Sequence, residues 1–283
     1  MTKVFVSGAF DDMRSSQLRF LQEAARRGAV TALPWSDRTI AAITGKAPRF
    51  GLAERLYCLK AVRWVSSAEV APELSSADDL PASLARPDGA DVIWAVNGTA
   101  ISSFEQLSAT QAEACARAGI RYLKLGTNDI AGFPYAPLPI ESPRAPGVKR
   151  VVVTGCFDWL HSGHIRFFEE ASAYGELTVI VGHDENIRLL KGEGHPLFPD
   201  YERQYVVASI RDVARALVSS GSGWLDAEPE IKALGAERYV VNEDGDKPEK
   251  RRYCEDHGIE YIVLSRIPAA GLPPRTSTDL RGF

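Results

Sequence analysis

The amino-acid sequence predicts an α/β protein made of two tandem, doubly wound parallel-sheet domains. Three observations predict it. The 283 residues suffice for two ordinary domains, each able to bury its own core. Short, unbroken apolar runs such as Val151–Val153 are followed by a glycine and then by apolar residues at helical spacing, as in strand–turn–helix units of a buried sheet. The first such unit also recurs 147 residues later: KVFVSGAFDDMRSSQLRFLQEAARRG (Lys3–Gly28) lies over RVVVTGCFDWLHSGHIRFFEEASAYG (Arg150–Gly175). There, 11 of 26 positions are identical, where average residue usage gives roughly one or two.

Composition narrows the class. With 45% hydrophobic and 25% charged residues and a mean hydropathy of -0.14, the chain reads as soluble and globular. A net charge of -4 and a pI near 5.8 argue against a general nucleic-acid surface, while leaving room for a local basic pocket that takes a small polyanion. The opening MTKVFVSGAF has no apolar stretch long enough for a signal peptide or membrane span, so a cytoplasmic protein without membrane insertion is expected. Cys58, Cys115, Cys156 and Cys254 are scattered and form no CxxC pair.

Taken in order, the strand and helix of Lys3–Gly28 lead to a second pair in which Ile40 falls over Ile187 and Gly45 over Gly192. One inserted residue then shifts the register. AERLYCLKAVRWV (Ala53–Val65) matches YERQYVVASIRDV (Tyr201–Val213), pairing Arg55 with Arg203 and Arg63 with Arg211. Ser66–Gly89, with Pro72, Pro81 and Pro87, reads as a loop. CARAGIRYLKL (Cys115–Leu125) matches CEDHGIEYIVL (Cys254–Leu264), each a helix end, a glycine stop and a strand. Between the halves, Pro134, Pro137, Pro139, Pro143 and Pro146 exclude helix and predict an extended linker. The expected division is a first domain over 1–131, a Pro-rich linker over 132–147 and a second domain over 148–283. Right-handed crossovers then make each sheet Rossmann-like, with ligands collecting at the strand C-termini.

The chemistry concentrates in GCFDWLHSGH (Gly155–His164). His161 and His164 lie three apart at a helix start, where unpaired backbone N–H groups and the dipole favour phosphate. Cys156, at the strand end, reads as a small packed residue rather than a nucleophile. The repeat acts as an internal control. In the first half His161 becomes Arg14, Gly163 becomes Ser16, His164 becomes Gln17 and Lys191 becomes Thr44, whereas the glycine, phenylalanine and aspartate of the turn persist as Gly8, Phe10 and Asp11. Loss of every candidate phosphate contact on a retained scaffold reads as degeneration of one of two sites.

These motifs resemble the HxGH nucleotidyltransferases, most closely the cytidylyltransferases that activate glycerol 3-phosphate, phosphocholine or phosphoethanolamine. The resemblance covers nearly all of Lys149–Gly282 and is carried by GCFDWLHSGH, LLKGEGHP (Leu189–Pro196), YERQYVVASIRDV and RTSTDL (Arg275–Leu280), the last similar to the family's RTxxxST signature in contracted form. It implies the HxGH nucleotidyltransferase fold and transfer of CMP from CTP to a small phosphorylated alcohol, polyol or sugar, with release of pyrophosphate. It implies catalytic roles for His161, His164 and Lys191, and nucleotide binding by Gly155, Cys156, Phe157, Gly163, Asn242, Arg275, Thr276, Ser277 and Thr278. Arg203 and Arg211 become candidate phosphate contacts, but Arg55 and Arg63 in the first half leave structural service open. Asp158 is either a pocket residue or a cap, and Trp224 either lines the nucleotide pocket or fills core. Mg²⁺ is implied as the triphosphate's counter-ion, with no metal ligand assigned. His183, His195 and His257 share no metal spacing and read as surface or capping residues.

GCFD, LKGEGHP and GDKPE (Gly245–Glu249) also resemble heptose-phosphate adenylyltransferases, which makes ATP the alternative donor. A nucleotide-binding regulator without turnover is a further alternative. Single-domain relatives pair as dimers, so the first half reads as an internal pseudo-subunit, and a homodimer remains open.

Overall fold

A computed structural model of the chain describes residues 2–73, 91–98, 108–140, 142 and 145–280. It divides into two compact units, Met1–Gly132 and Phe133–Phe283. The first contains β1 (Lys3–Gly8), α1 (Ser15–Ala25), β2 (Ala29–Pro34), α2 (Asp37–Thr44), α3 (Leu52–Ala61), β3 (Val65–Ala68), β4 (Val92–Asn97), α4 (Ala109–Ala118) and β5 (Arg121–Leu125). The second contains β6 (Arg150–Gly155), α5 (Ser162–Ser172), β7 (Glu176–Val181), α6 (Asp184–Lys191), α7 (Asp200–Ala208), β8 (Arg215–Val218), α8 (Glu228–Leu234), β9 (Arg238–Asn242), α9 (Pro248–Asp256), β10 (Glu260–Leu264) and α10 (Ser277–Leu280). The expected loop from Ser66 is corrected at its start, where Ser67 and Ala68 pair with β2; Leu74–Gly89 lie outside the described residues.

Both sheets are five-stranded and parallel, in the orders β3-β2-β1-β4-β5 and β10-β9-β6-β7-β8. Read from the central strand outward these are the same order, and the register agrees as well. Phe5 pairs with Trp94 as Val152 pairs with Tyr239, and Asn97 pairs with Leu125 as Asn242 pairs with Leu264. Each central strand is buried on both faces, which is why Val4, Val6 and Val151–Val153 form apolar runs without alternation. Phe20 of α1 and Phe168 of α5, at 1% and 0% exposure, pack beneath equivalent helices, each contributing about 2–3 kcal/mol of apolar burial. Gly28 and Gly175 follow those helices with φ of 156° and 147°; a Cβ there would sit 2.4 Å from the Thr2 carbonyl oxygen and 2.2 Å from that of Lys149, so only glycine fits.

The Pro-rich segment is extended, but it is no free spacer. The Phe133 ring packs on Tyr201 and Tyr205, the Tyr135 hydroxyl accepts from the Ala216 amide, and the fully buried Arg215 donates to the Leu138 and Pro139 carbonyls. Residues from Phe133 onward therefore belong with the second unit rather than between the two.

No helix among the described residues is long and apolar enough to cross a membrane.

Candidate active site

Three adjoining cavities open at the C-terminal edge of the second sheet, where β6, β9 and β10 end. A switch point in strand order lies between β6 and β9, the expected place for a ligand in a doubly wound sheet. The middle cavity, about 150 Å³, is lined by His161, Gly163, His164, Asn242, Lys250 and Arg266, among others. To one side a cavity of about 160 Å³ joins His164 to Gly155, Cys156, Phe157, Lys191, His195 and Ser277. To the other, a largely apolar cavity of about 210 Å³ runs past Gly163 and Asn242 to Ile267, Pro273, Arg275 and Thr276.

The histidines owe their placement to the start of α5. His161 is the N-cap, and its Nδ1 accepts the Gly163 amide at 3.1 Å. That bond leaves Nδ1 without a proton, so the neutral ring carries its N–H at Nε2. Gly163 makes this fold-back fit, because a Cβ there would stand 3.0 Å from His161 Nδ1 and Cε1. The two imidazoles stack with centroids 3.9 Å apart and planes 22° off parallel. Phe157, held at a left-handed φ of 49°, sets its edge against His164 at 5.3 Å and against Phe168 at 5.1 Å. His164 Nδ1 is buried without a hydrogen-bond partner among the described residues. Burial, followed by the neighbouring His161, Arg266 and Lys191, holds the His164 pKa well below its ordinary 6.5. His164 thus lines the cleft as a neutral ring rather than as a cation.

Lys191 ends α6 and is exposed on the wall opposite the histidine turn. Cys156 lends its carbonyl to Arg203, and burial pushes its thiol pKa up, against a thiolate role. Asn242 lies at the end of β9 on both the middle and the apolar cavity. Arg275 and Thr276 line the apolar cavity, Ser277 the opposite one, and the Thr278 side chain lies outside the described residues.

Four expectations are corrected. Arg203, 1% exposed, donates to the Phe198, Cys156 and Gly182 carbonyls and to Asp184 Oδ1, all within 2.8 Å, which commits it to the scaffold rather than to a phosphate. Arg211 lies just before β8, at the N-terminal edge of the sheet, opposite the cleft. Trp224 is 52% exposed beside α6 and lines none of the three cavities, so it neither fills core nor covers this cleft. His195, read as a surface or capping histidine, lines the cavity of Lys191 and His164. Asp158 does both things expected of it as alternatives: its Oδ1 accepts the Leu197 and Phe198 amides, tying down the loop that follows Lys191, and it lines the cavity of Lys191 and His164. His183 and His257 are capping residues, on the Asn186 amide and the Tyr253 carbonyl.

Arg266 and Lys250 were not anticipated. Arg266, just after β10, donates to Asp244 at 2.5 Å and to the Arg275 carbonyl at 2.8 Å, and its charge bears on His164. Extending the Cys115/Cys254 register to these positions sets Arg266 over Thr127 and Lys250 over Gln111. The comparison between halves that singled out the histidines therefore contained the signal for both.

Among the described residues no group of three or more His, Cys, Asp or Glu side chains is gathered for a metal. A family model described as cytidylyltransferase-like matches residues 152–282. An FAD synthase from Methanopyrus kandleri is 33% identical over 123 residues, spanning 41% of this chain and 77% of that protein. Two proteins named bifunctional protein HldE are each 33% identical. The one from Shewanella piezotolerans matches over 141 residues (41% of this chain, 30% of that one), and the one from Pseudomonas paraeruginosa over 215 residues (71% and 38%). This chain thus spans about a third of the length of those HldE proteins. With the HxGH turn at the switch point of a five-stranded parallel sheet, the chain belongs to the cytidylyltransferase-like family of nucleotidyltransferase enzymes.

Proposed function

We propose that the second unit transfers CMP from CTP to the phosphate of a small phosphorylated alcohol, polyol or sugar. An acceptor phosphate oxygen bonds to the α-phosphorus, the bond from that phosphorus to the β-phosphate bridging oxygen breaks, and pyrophosphate leaves with the electron pair. The observation that carries the reading is the pair of stacked histidines facing one cleft with Asn242 and Arg266 on one side and Lys191 on the other. His161 Nε2–H donates to the triphosphate, with the His164 ring stacked against it. Lys191 and His195 face the acceptor. The apolar cavity along Ile267 and Pro273 takes the nucleoside, with Arg275 and Thr276 at its rim. Such fixed donors in a partly dry site typically contribute about 3 kcal/mol each to the transition state.

Magnesium would arrive on the triphosphate, since the acidic residue of the motif, Asp158, is committed to two backbone amides and the described residues gather no metal cage. It would neutralise phosphate charge there.

ATP is the second reading, and the FAD synthase relative favours it, because FAD carries an adenylyl group on a flavin phosphate. Pyrophosphate release from CTP and from ATP, with Mg²⁺ and a panel of phosphorylated metabolites, separates the readings: turnover with CTP is expected. Turnover with ATP alone would reassign the donor, and tight nucleotide binding with no turnover would indicate a regulator.

The first unit reads as a degenerate copy of the second, supported by the shared strand order and register and by the loss of the site residues alone.

A further inference from the structure

We propose that Lys250 is a substrate-binding residue that supplies the permanent positive charge meeting a phosphate of the nucleoside triphosphate in the cavity of His161 and His164. The proposal rests on the nucleotidyl-transfer reading above and assigns that site its counter-charge.

The histidines do not provide it. His161 holds Nδ1 as an acceptor, and His164 is kept neutral by burial and by the cations around it. Arg266, the guanidinium on the cavity wall, is already paired with Asp244. Lys250 remains. It projects from α9 onto the same cavity, half-buried, with its Nζ 5.7 Å from the centroid of the Tyr239 ring. No hydrogen bond or ion pair engages its ammonium among the described residues. Asp246, four residues earlier, is held by Arg251 and the Tyr261 hydroxyl. A half-buried ammonium without a counter-ion is costly, and its pKa is pulled down by burial and by Lys247. A phosphate entering the cavity removes that deficit, and in a partly dry space the pair attracts more strongly than it would on an open surface.

The floor beneath Lys250 is common to both units, which isolates the lysine as the difference. Tyr239 Oη meets Thr154 Oγ1 at 2.6 Å in the second unit, and Trp94 Nε1 donates to Ser7 Oγ at 3.0 Å in the first, between strands paired in the same register. At the position of Lys250 the first unit has Gln111, whose side chain closes the capping box of α4 with Ser108. The cation is therefore missing from the half that also lacks the histidines and Lys191.

The test is calorimetric titration of CTP, ATP, pyrophosphate and the two nucleosides, with Mg²⁺, into the full-length chain and its Lys250→Gln and Lys250→Arg variants. Lys250→Gln is expected to weaken the preferred triphosphate and pyrophosphate at least tenfold while leaving nucleoside binding unchanged. Lys250→Arg is expected to stay within about threefold of the parent. Equal triphosphate affinity in Lys250→Gln and the parent overturns the proposal, as does an equal loss for nucleoside and triphosphate. A parent that binds neither triphosphate sinks the nucleotidyl-transfer reading and this proposal with it. Should Lys250→Gln melt early, Lys250→Met, which keeps an aliphatic stem over Tyr239, is read in its place.

Discussion

In the first unit Asp11 receives the amides of Arg49 and Phe50; in the second, Asp158 receives those of Leu197 and Phe198. Arg55 donates to the Phe50 and Ala9 carbonyls and to Asp37, as Arg203 does to Phe198, Cys156 and Asp184. Phe10 and Phe157 share a left-handed φ, 47° and 49°. The residues that differ are of another kind. His161 caps α5 through its ring, whereas Arg14 at the start of α1 makes no side-chain cap and pairs with Asp12. Gln17, in the place of His164, leaves its Oε1 buried without a partner among the described residues. The comparison separates two sets of polar residues that look alike in sequence: Asp11 and Arg55, bound to backbone groups of their own unit, recur as Asp158 and Arg203, whereas His161, His164, Lys191 and Lys250, which line the cleft, occur in the second unit alone.

The largest effect that tests this separation belongs to the shared arginines. Arg203→Leu removes the guanidinium from three carbonyls, and Arg55→Leu removes it from two. Each is expected to cost about 3 kcal/mol of stability, read by denaturant unfolding. If Arg203→Leu instead left stability intact and lowered only turnover, the scaffold assignment would be wrong and Arg203 would return to the active site. A smaller effect on the fold, though not on the chemistry, is expected for His164→Gln, which copies Gln17. Pyrophosphate release should fall by a factor on the order of 10²–10³ with the melting temperature nearly unchanged. Near-normal turnover would remove His164 from the proposed mechanism.

The smallest effect concerns acid stability. The His164 pKa in the folded state lies well below 6.5, its ordinary value. As the pH falls below about 6.5 the unfolded chain takes up a proton that the folded chain refuses, so the group's contribution is fully present above that pH and is lost as the pH drops toward the folded value. The loss is at most about 1.4 kcal/mol per pH unit. Melting curves of the parent and of His164→Gln between pH 7.5 and 5 are expected to shift progressively in the variant's favour below pH 6.5. A gap constant across that range would mean the ring is not held neutral.

Much of this was legible in the sequence because the relevant signals are local. Val151–Val153, the glycine and the apolar spacing of Ile165, Phe168 and Ala171 specify a strand, a turn and a helix within about 20 residues, and the repeat marks which polar positions vary. What escaped depends on residues distant along the chain. Arg266 and Lys250 reach the histidines only because β9 and β10 lie on one side of β6, and spacing alone does not report that adjacency. Arg211 aligns well with Arg63, but alignment does not say which end of a strand a residue occupies. The prolines of 133–140 correctly exclude a helix, yet the partner that binds this segment, Arg215, lies over 70 residues away.

The position of Trp159 has an optical consequence. It is buried at 6% exposure, two residues before His161, with its ring 6.2 Å from that of Phe198, while the second unit's other indole, Trp224, is 52% open to water. Trp35 and Trp94 are sealed in the core of the first unit, where Trp64 is half-buried. Fluorescence from the second unit therefore divides into a shielded component at the histidine turn and an exposed one that a water-soluble quencher reaches first. With Trp64 and Trp224 replaced by phenylalanine, the two core indoles of the first unit stay shielded and an emission change on adding nucleotide reports the turn, without a label.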